Sequence, residues 1–92
     1  MTTHDRRIQT QAYRRLARWV LDRDLHLCQI HGPDCTRYAT QVDHIIDRAD
    51  GGDVHDPHNL RAACRRCNAW RSALRTNQRR YRVGLARYET RL

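Results

Sequence analysis

Asp43 and His44 stand side by side, Asn59 follows a loop later, and Cys64 and Cys67 form a C-x-x-C pair directly before Asn68. A second cysteine pair, Cys28 and Cys35, brackets the turn Gly32-Pro33-Asp34. Hydrolysis of a phosphodiester needs a water deprotonated near neutral pH and a cation to steady charge on the phosphate. Histidine is the side chain that titrates nearest neutrality, so His44 is the candidate base. Asp43 is a hard oxygen ligand suited to magnesium or manganese, and Asn68 offers an amide oxygen to the same ion. Each residue also has a plainer reading: a surface histidine, a solvated carboxylate at a strand end, an amide on a helix surface. The joint arrangement of all three around four cysteines favours the hydrolytic one.

The C-x-x-C spacing lets two thiolates meet one tetrahedral zinc, and Cys28 and Cys35 can supply the other two ligands. A four-thiolate site is closed, so such a zinc is structural, and its binding energy adds to folding. The rival is a thioredoxin-like redox pair at Cys64 and Cys67. That reading expects a βαβ context and leaves Cys28 and Cys35 without a role.

The elements that must position these residues follow from periodicity. Residues from about Asp5 to Arg23 read as an amphipathic helix, with Ile8, Ala12, Leu16, Trp19 and Val20 at helical spacing and arginines 6, 7, 14, 15 and 18 filling most of the rest. Tyr38 to Ile46 suits a strand, and Asp47 to His58, with Gly51-Gly52 and Pro57, a loop. From Asn59 onward no breaker appears, so a helix is expected to start near there. A further Arg-rich helix or a continuation of it covers about 72–92, weakened around Gly84.

At 92 residues the chain is one small domain, and such domains often need a staple. With no Phe, the core has to draw on Leu, Ile, Val, Ala, Trp19, Trp70 and the tyrosines. The net charge is +8 and every basic side chain is Arg, whose planar fork suits phosphate. Codon bias explains the missing Lys but not the positive excess. No stretch resembles a signal peptide or a membrane span. The expectation is a cytoplasmic protein, in a bacterium or a phage-infected host, where four cysteines point to metal before disulfides.

The ordered set "VDHI" (Val42 to Ile45), Gly51-Gly52, "NL" (Asn59-Leu60) and "CRRCNAWR" (Cys64 to Arg71) resembles the HNH endonucleases of the ββα-metal class, the zinc-stapled kind common in phages and bacteria. The lead-in "VLDRDLHLCQIHGPDCTRYATQ", with its Arg-Asp pair before the first cysteine, is similar too. The resemblance covers roughly residues 20–71. It implies a small α+β fold, a ββα-metal core with structural zinc, flanked by the two terminal helices. It also implies a metal-dependent endonuclease acting on DNA, with His44 as general base, Asp43 and Asn68 as ligands of a magnesium or manganese ion, and Asn59 pinning the loop that orients the base. Many members carry His where this chain has Asn68, which makes it an H-N-N variant. Arg71 matches a basic position that in the family is often Lys, and a contact to phosphate is expected from it.

Arg48, Arg65, Arg66, Arg71, Arg79, Arg80 and Arg82 are the expected contacts to DNA backbone, giving low sequence selectivity and steep salt dependence. His55 and His58 lie in the loop, and His58, directly before Asn59, is a secondary candidate near the metal or phosphate. The alternative to an enzyme is a non-catalytic, zinc-stapled nucleic-acid-binding module. Another is an adaptor in a larger phage or DNA-processing complex, docking through Leu85, Tyr88 and Leu92. One geometric demand stands out. Neighbours on a strand point to opposite faces, so Asp43 and His44 serve one site only if the strand ends, twists or bulges there.

Overall fold

Thr10 accepts a hydrogen bond from the Tyr13 amide at 3.0 Å and so caps the first helix, α1 (Gln11–Arg23). A computed structural model of the protein describes residues 10–89; Ile8, Arg6, Arg7 and Leu92 lie outside them, as do the side chains of Leu85 and Tyr88. Helix α1 buries Val20 and half-buries Tyr13, Leu16 and Ala17. The buried stripe is rotated from the one expected on spacing. Trp19 is 53% exposed and lies under the Arg23 guanidinium, 5.5 Å from the ring centroid.

The chain leaves α1 through Asp24, with Leu25 and His26 both at φ 56 in the left-handed region. Strand β1 (Gln41–His44) pairs antiparallel with strand β2 (Leu60–Ala63) in the register Gln41↔Ala63, Val42↔Ala62, Asp43↔Arg61 and His44↔Leu60. Leu60 to Ala63 therefore forms a strand, where the sequence read as the start of a helix. Nothing in "LRAA" favours a strand by propensity. Its pairing with β1 and the burial of Leu60, Ala62 and Ala63 override that preference. Helix α2 begins only at Arg65 and runs unbroken to Glu89, past Gly84.

The Arg-Asp pair at the end of α1 fastens it to β2. Arg23 donates to the Pro57 carbonyl at 2.8 Å and the Leu60 carbonyl at 2.7 Å, while Asp24 accepts from the Ala62 amide at 2.8 Å. The Arg23 guanidinium holds the Asp24 carboxyl below its ordinary range against the opposing effect of burial. The core is made of small and aliphatic side chains: Val20, Ala39, Val54, Leu60, Ala62 and Ala63, continued by Cys28, Cys64 and Cys67. Trp70, Tyr38 and Tyr81 are exposed, so the aromatic residues expected in the core largely lie outside it.

Among the described residues, no helix is long and apolar enough to cross a membrane.

Candidate active site

All four cysteines converge. Their sulfur atoms lie within 4.8 Å of one another, and no disulfide joins them. Backbone amides point at the sulfurs: Gly32 N–H to Cys67 Sγ, Arg37 N–H to Cys35 Sγ and Cys67 N–H to Cys64 Sγ, each at 3.3 Å. Gly32 has no room for a side chain here, since a Cβ would come within 2.9 Å of the Trp70 ring.

Cys64 stands just before the first turn of α2, where the positive end of the helix dipole favours a thiolate. Burial pushes its thiol up, but hydrogen bonds from Thr36 and the Cys67 amide outweigh that and bring it down to about 5. Burial and the neighbouring thiols push Cys67 up to about 12. Such a cluster holds several thiolates together only around a cation. The donor set therefore fits a tetrahedral thiophilic metal.

The strand β1 divides the remaining candidates between its two faces. Asp43 points towards α2 and is 2% exposed. Its Oδ2 accepts from Arg61 Nε at 2.9 Å, the residue directly opposite in the sheet, and its Oδ1 from Arg75 Nη1 at 3.2 Å. Arg75 also donates to the carbonyl of His44 and, at 3.4 Å, to that of Ile45. Asn68 lies one turn along α2 from Arg71 and donates to Gln41 Oε1 at 2.7 Å, leaving its own carbonyl oxygen as an acceptor. A buried carboxylate and an amide oxygen are both donor types that suit a hard divalent cation.

His44 points to the other face, towards α1. Its ring stacks on Tyr13 with centroids 6.1 Å apart and planes 14° from parallel. Its Nε2 lies 3.3 Å from the Val54 carbonyl. A carbonyl only accepts, so Nε2 carries the proton in this contact and Nδ1 keeps the lone pair. Tyr13 also meets His55 edge-on, at 6.1 Å. Burial and the Asp43 charge push the Tyr13 hydroxyl up.

Asn59 sits below the loop that supplies Val54. Its Oδ1 accepts from the Ile46 amide at 2.8 Å, and its Nδ2 donates to the carbonyls of Ile46 and Asp53, each at 3.0 Å. Gly52 lets the loop pass, because a Cβ there would fall 1.8 Å from the Ile46 carbonyl oxygen. Asn59→Ala leaves a part-buried backbone amide and two part-buried carbonyls without their partner. An expected loss of about 2–4 kcal/mol follows, to be read from urea unfolding. An unchanged midpoint would mean that the loop is held by other contacts.

The basic residues fall into distinct environments. Arg71 is half-buried beside Arg61 and Arg75, and its Nε has no hydrogen-bond partner. Burial, then the two like charges, pull its guanidinium below the ordinary range. Arg79 bonds Asp47 and lies 3.9 Å from Asp50, so its charge is spent within the protein. Arg65, Arg66, Arg80 and Arg82 are exposed, with no ion pair among the described residues; Arg48 is exposed on the loop. His55 is exposed near Tyr13, and His58 lies 4.0 Å from Asp56.

Sequence reading missed Tyr13, Arg61 and Arg75. The strand register that sets Arg61 opposite Asp43 appears only once β2 is seen as a strand. No local signal marks Tyr13 or Arg75, both of which reach the site from other elements.

Residues 26–73 match the family described as HNH endonuclease. Over 47 residues, 51% of this chain, the sequence is 51% identical to the Gene 4 protein of Mycobacterium phage L5 and 47% identical to that of Mycobacterium phage D29. The chain spans 44% of the length of each of these relatives. Among solved structures it is similar to the crystal structure of the deep-sea thermophilic bacteriophage GVE2 HNH endonuclease with manganese ion. That match has a TM-score of 0.56 and 30% identity, and covers 80% of both chains. With half of its residues matching one family and a thiol cluster and antiparallel hairpin where that match lies, the chain belongs to the HNH endonucleases.

Proposed function

We propose that the protein hydrolyses DNA phosphodiester bonds in a metal-dependent reaction, with His44 as general base. The observation that carries this reading is the His44 ring itself. It is oriented by Tyr13 and the Val54 carbonyl so that Nδ1 is the free basic nitrogen, on a strand whose next residue inward is a buried carboxylate. Nδ1 takes a proton from water as the water oxygen bonds to phosphorus. The bond from phosphorus to the 3′ oxygen breaks, leaving a 5′ phosphate; the 3′ oxygen takes a proton from solvent water to become a hydroxyl, and His44 later returns its proton to solvent.

Asp43 and Asn68 are the residues that would hold a magnesium or manganese ion. When bound, that ion stabilises charge on the phosphate and the departing oxygen. Arg71, half-buried beside two other guanidinium groups, is a candidate partner for a phosphate oxygen. Arg48, Arg65, Arg66, Arg80 and Arg82 contribute backbone attraction, which supports affinity without sequence selectivity. The four thiolates hold zinc, in a closed site without a part in the chemistry.

A second reading, a zinc-stapled DNA-binding module without cleavage, draws on the two arginines already engaging Asp43. Supercoiled plasmid separates the two. The zinc-loaded protein is expected to convert it to nicked circles in manganese or magnesium, with ends that ligase can reseal. Retention on the plasmid without any nicking would assign the binding module instead.

A further inference from the structure

Both carboxylate oxygens of Asp43 already have a cationic partner, one guanidinium on each, and the side chain is buried. The two arginines are not equivalent. Arg61 is the cross-strand partner fixed by the sheet register, and its Nε contact is the shorter at 2.9 Å. Arg75 reaches across from α2, makes the longer contact at 3.2 Å, and already has the carbonyls of His44 and Ile45 as further acceptors. Letting go of Oδ1 costs Arg75 only its Nη1 contact, because both carbonyls are held by Nη2.

Charge points the same way. Arg61, Arg71 and Arg75 gather around one carboxylate, so this corner carries a surplus of positive charge. A divalent cation entering beside all three meets repulsion that falls off only slowly with distance at the effective dielectric of a protein surface. We propose that Arg75 and the divalent cation compete for Asp43 Oδ1, making Arg75 the exchangeable counter-ion that sets the affinity of this site for the metal. This rests on the reading of Asp43 as a metal ligand. A phosphate joining Arg71 and Arg75 relieves the same surplus, so cation and phosphate assist one another's binding, reciprocally.

The test is manganese binding by the zinc-loaded full chain, followed through the free-ion paramagnetic resonance signal. Arg75→Gln is expected to bind manganese about tenfold or more tightly than wild type, because it removes one charge from the corner. Arg75→Lys keeps the charge and is expected to stay near wild type. Arg79→Gln, whose partners are Asp47 and Asp50, is expected to leave the affinity unchanged. The inference is overturned if a folded Arg75→Gln binds manganese no more tightly, if the Lys variant gains as much, or if none of the proteins binds it.

Should Arg75→Gln fail to fold, the wild type decides. Its Arg75 guanidinium resonances are expected to move on titration with magnesium while those of Arg79 stay; an unmoved Arg75 overturns the inference. Manganese binding of the expected pattern without plasmid nicking would remove the nuclease reading and leave this one standing. Nicking with no gain in Arg75→Gln would do the reverse.

Discussion

Serine in place of Cys64 is expected to unfold the domain rather than weaken it. Cys64 is fully buried, sits against Cys28 and Cys67, and receives the Cys67 amide at the start of α2. Structural zinc contributes about 10–16 kcal/mol in small metal-folded peptides, against about 5–15 kcal/mol for the whole stability of a typical domain. The apolar core outside the cysteines consists of a few alanines, two valines and one leucine, too little to make up the difference. Circular dichroism and zinc content of Cys64→Ser should therefore fall together, and a strong chelator should have the same effect on the native protein. A cooperative thermal transition in zinc-free Cys64→Ser would show that the thiol cluster is incidental to the fold.

The second large effect falls on catalysis and spares the fold. His44→Ala removes the proposed base while leaving Asp43, Asn59 and the cysteines in place. General-base assistance is worth about 10²–10⁴ in rate, so nicking should drop by at least two orders of magnitude. Zinc content and DNA affinity should stay close to wild type, because His44 is a half-buried ring whose contacts are one carbonyl and one stacked tyrosine. Nicking at the wild-type rate by a zinc-loaded His44→Ala would take His44 out of the reaction.

The parts of this protein that could be read from its sequence are those written in short spacings. The cysteine quartet is one: the C-x-x-C pair and the turn between Cys28 and Cys35 announce a cluster, and the sulfurs do meet. Helix α1 is another, though its buried face is turned: it keeps Leu16 and Val20 as expected, but tertiary contact with the hairpin selects Tyr13 and Ala17 over Ala12 and Trp19. Strand β2 could not be read locally, since Leu60 to Ala63 has the propensity of a helix and becomes a strand only by pairing with β1. The surroundings of Asp43 were hidden for the same reason. Arg61 depends on that pairing, and Arg75 depends on the angle at which α2 passes β1. Asp43 and His44 face opposite sides of β1, but the strand ends at His44 and Tyr13 is near both: it stacks on the His44 ring, and burial together with the Asp43 charge pushes its hydroxyl up.

The thiol cluster also fixes both ends of one continuous stretch. Cys35 and Cys64 bracket everything from Thr36 to Ala63, so both strands and the loop between them form a cassette cinched at its base. The entropy of closing such a loop grows only logarithmically, at about 0.6 kcal/mol for each doubling of its length. The exposed tip at Ala49 and Asp50 is therefore a place where the chain can grow in the course of evolution, or be lengthened by design, with little effect on the clasp. New recognition elements for a substrate can be spliced in there, beside the site and without redrawing the frame that holds it.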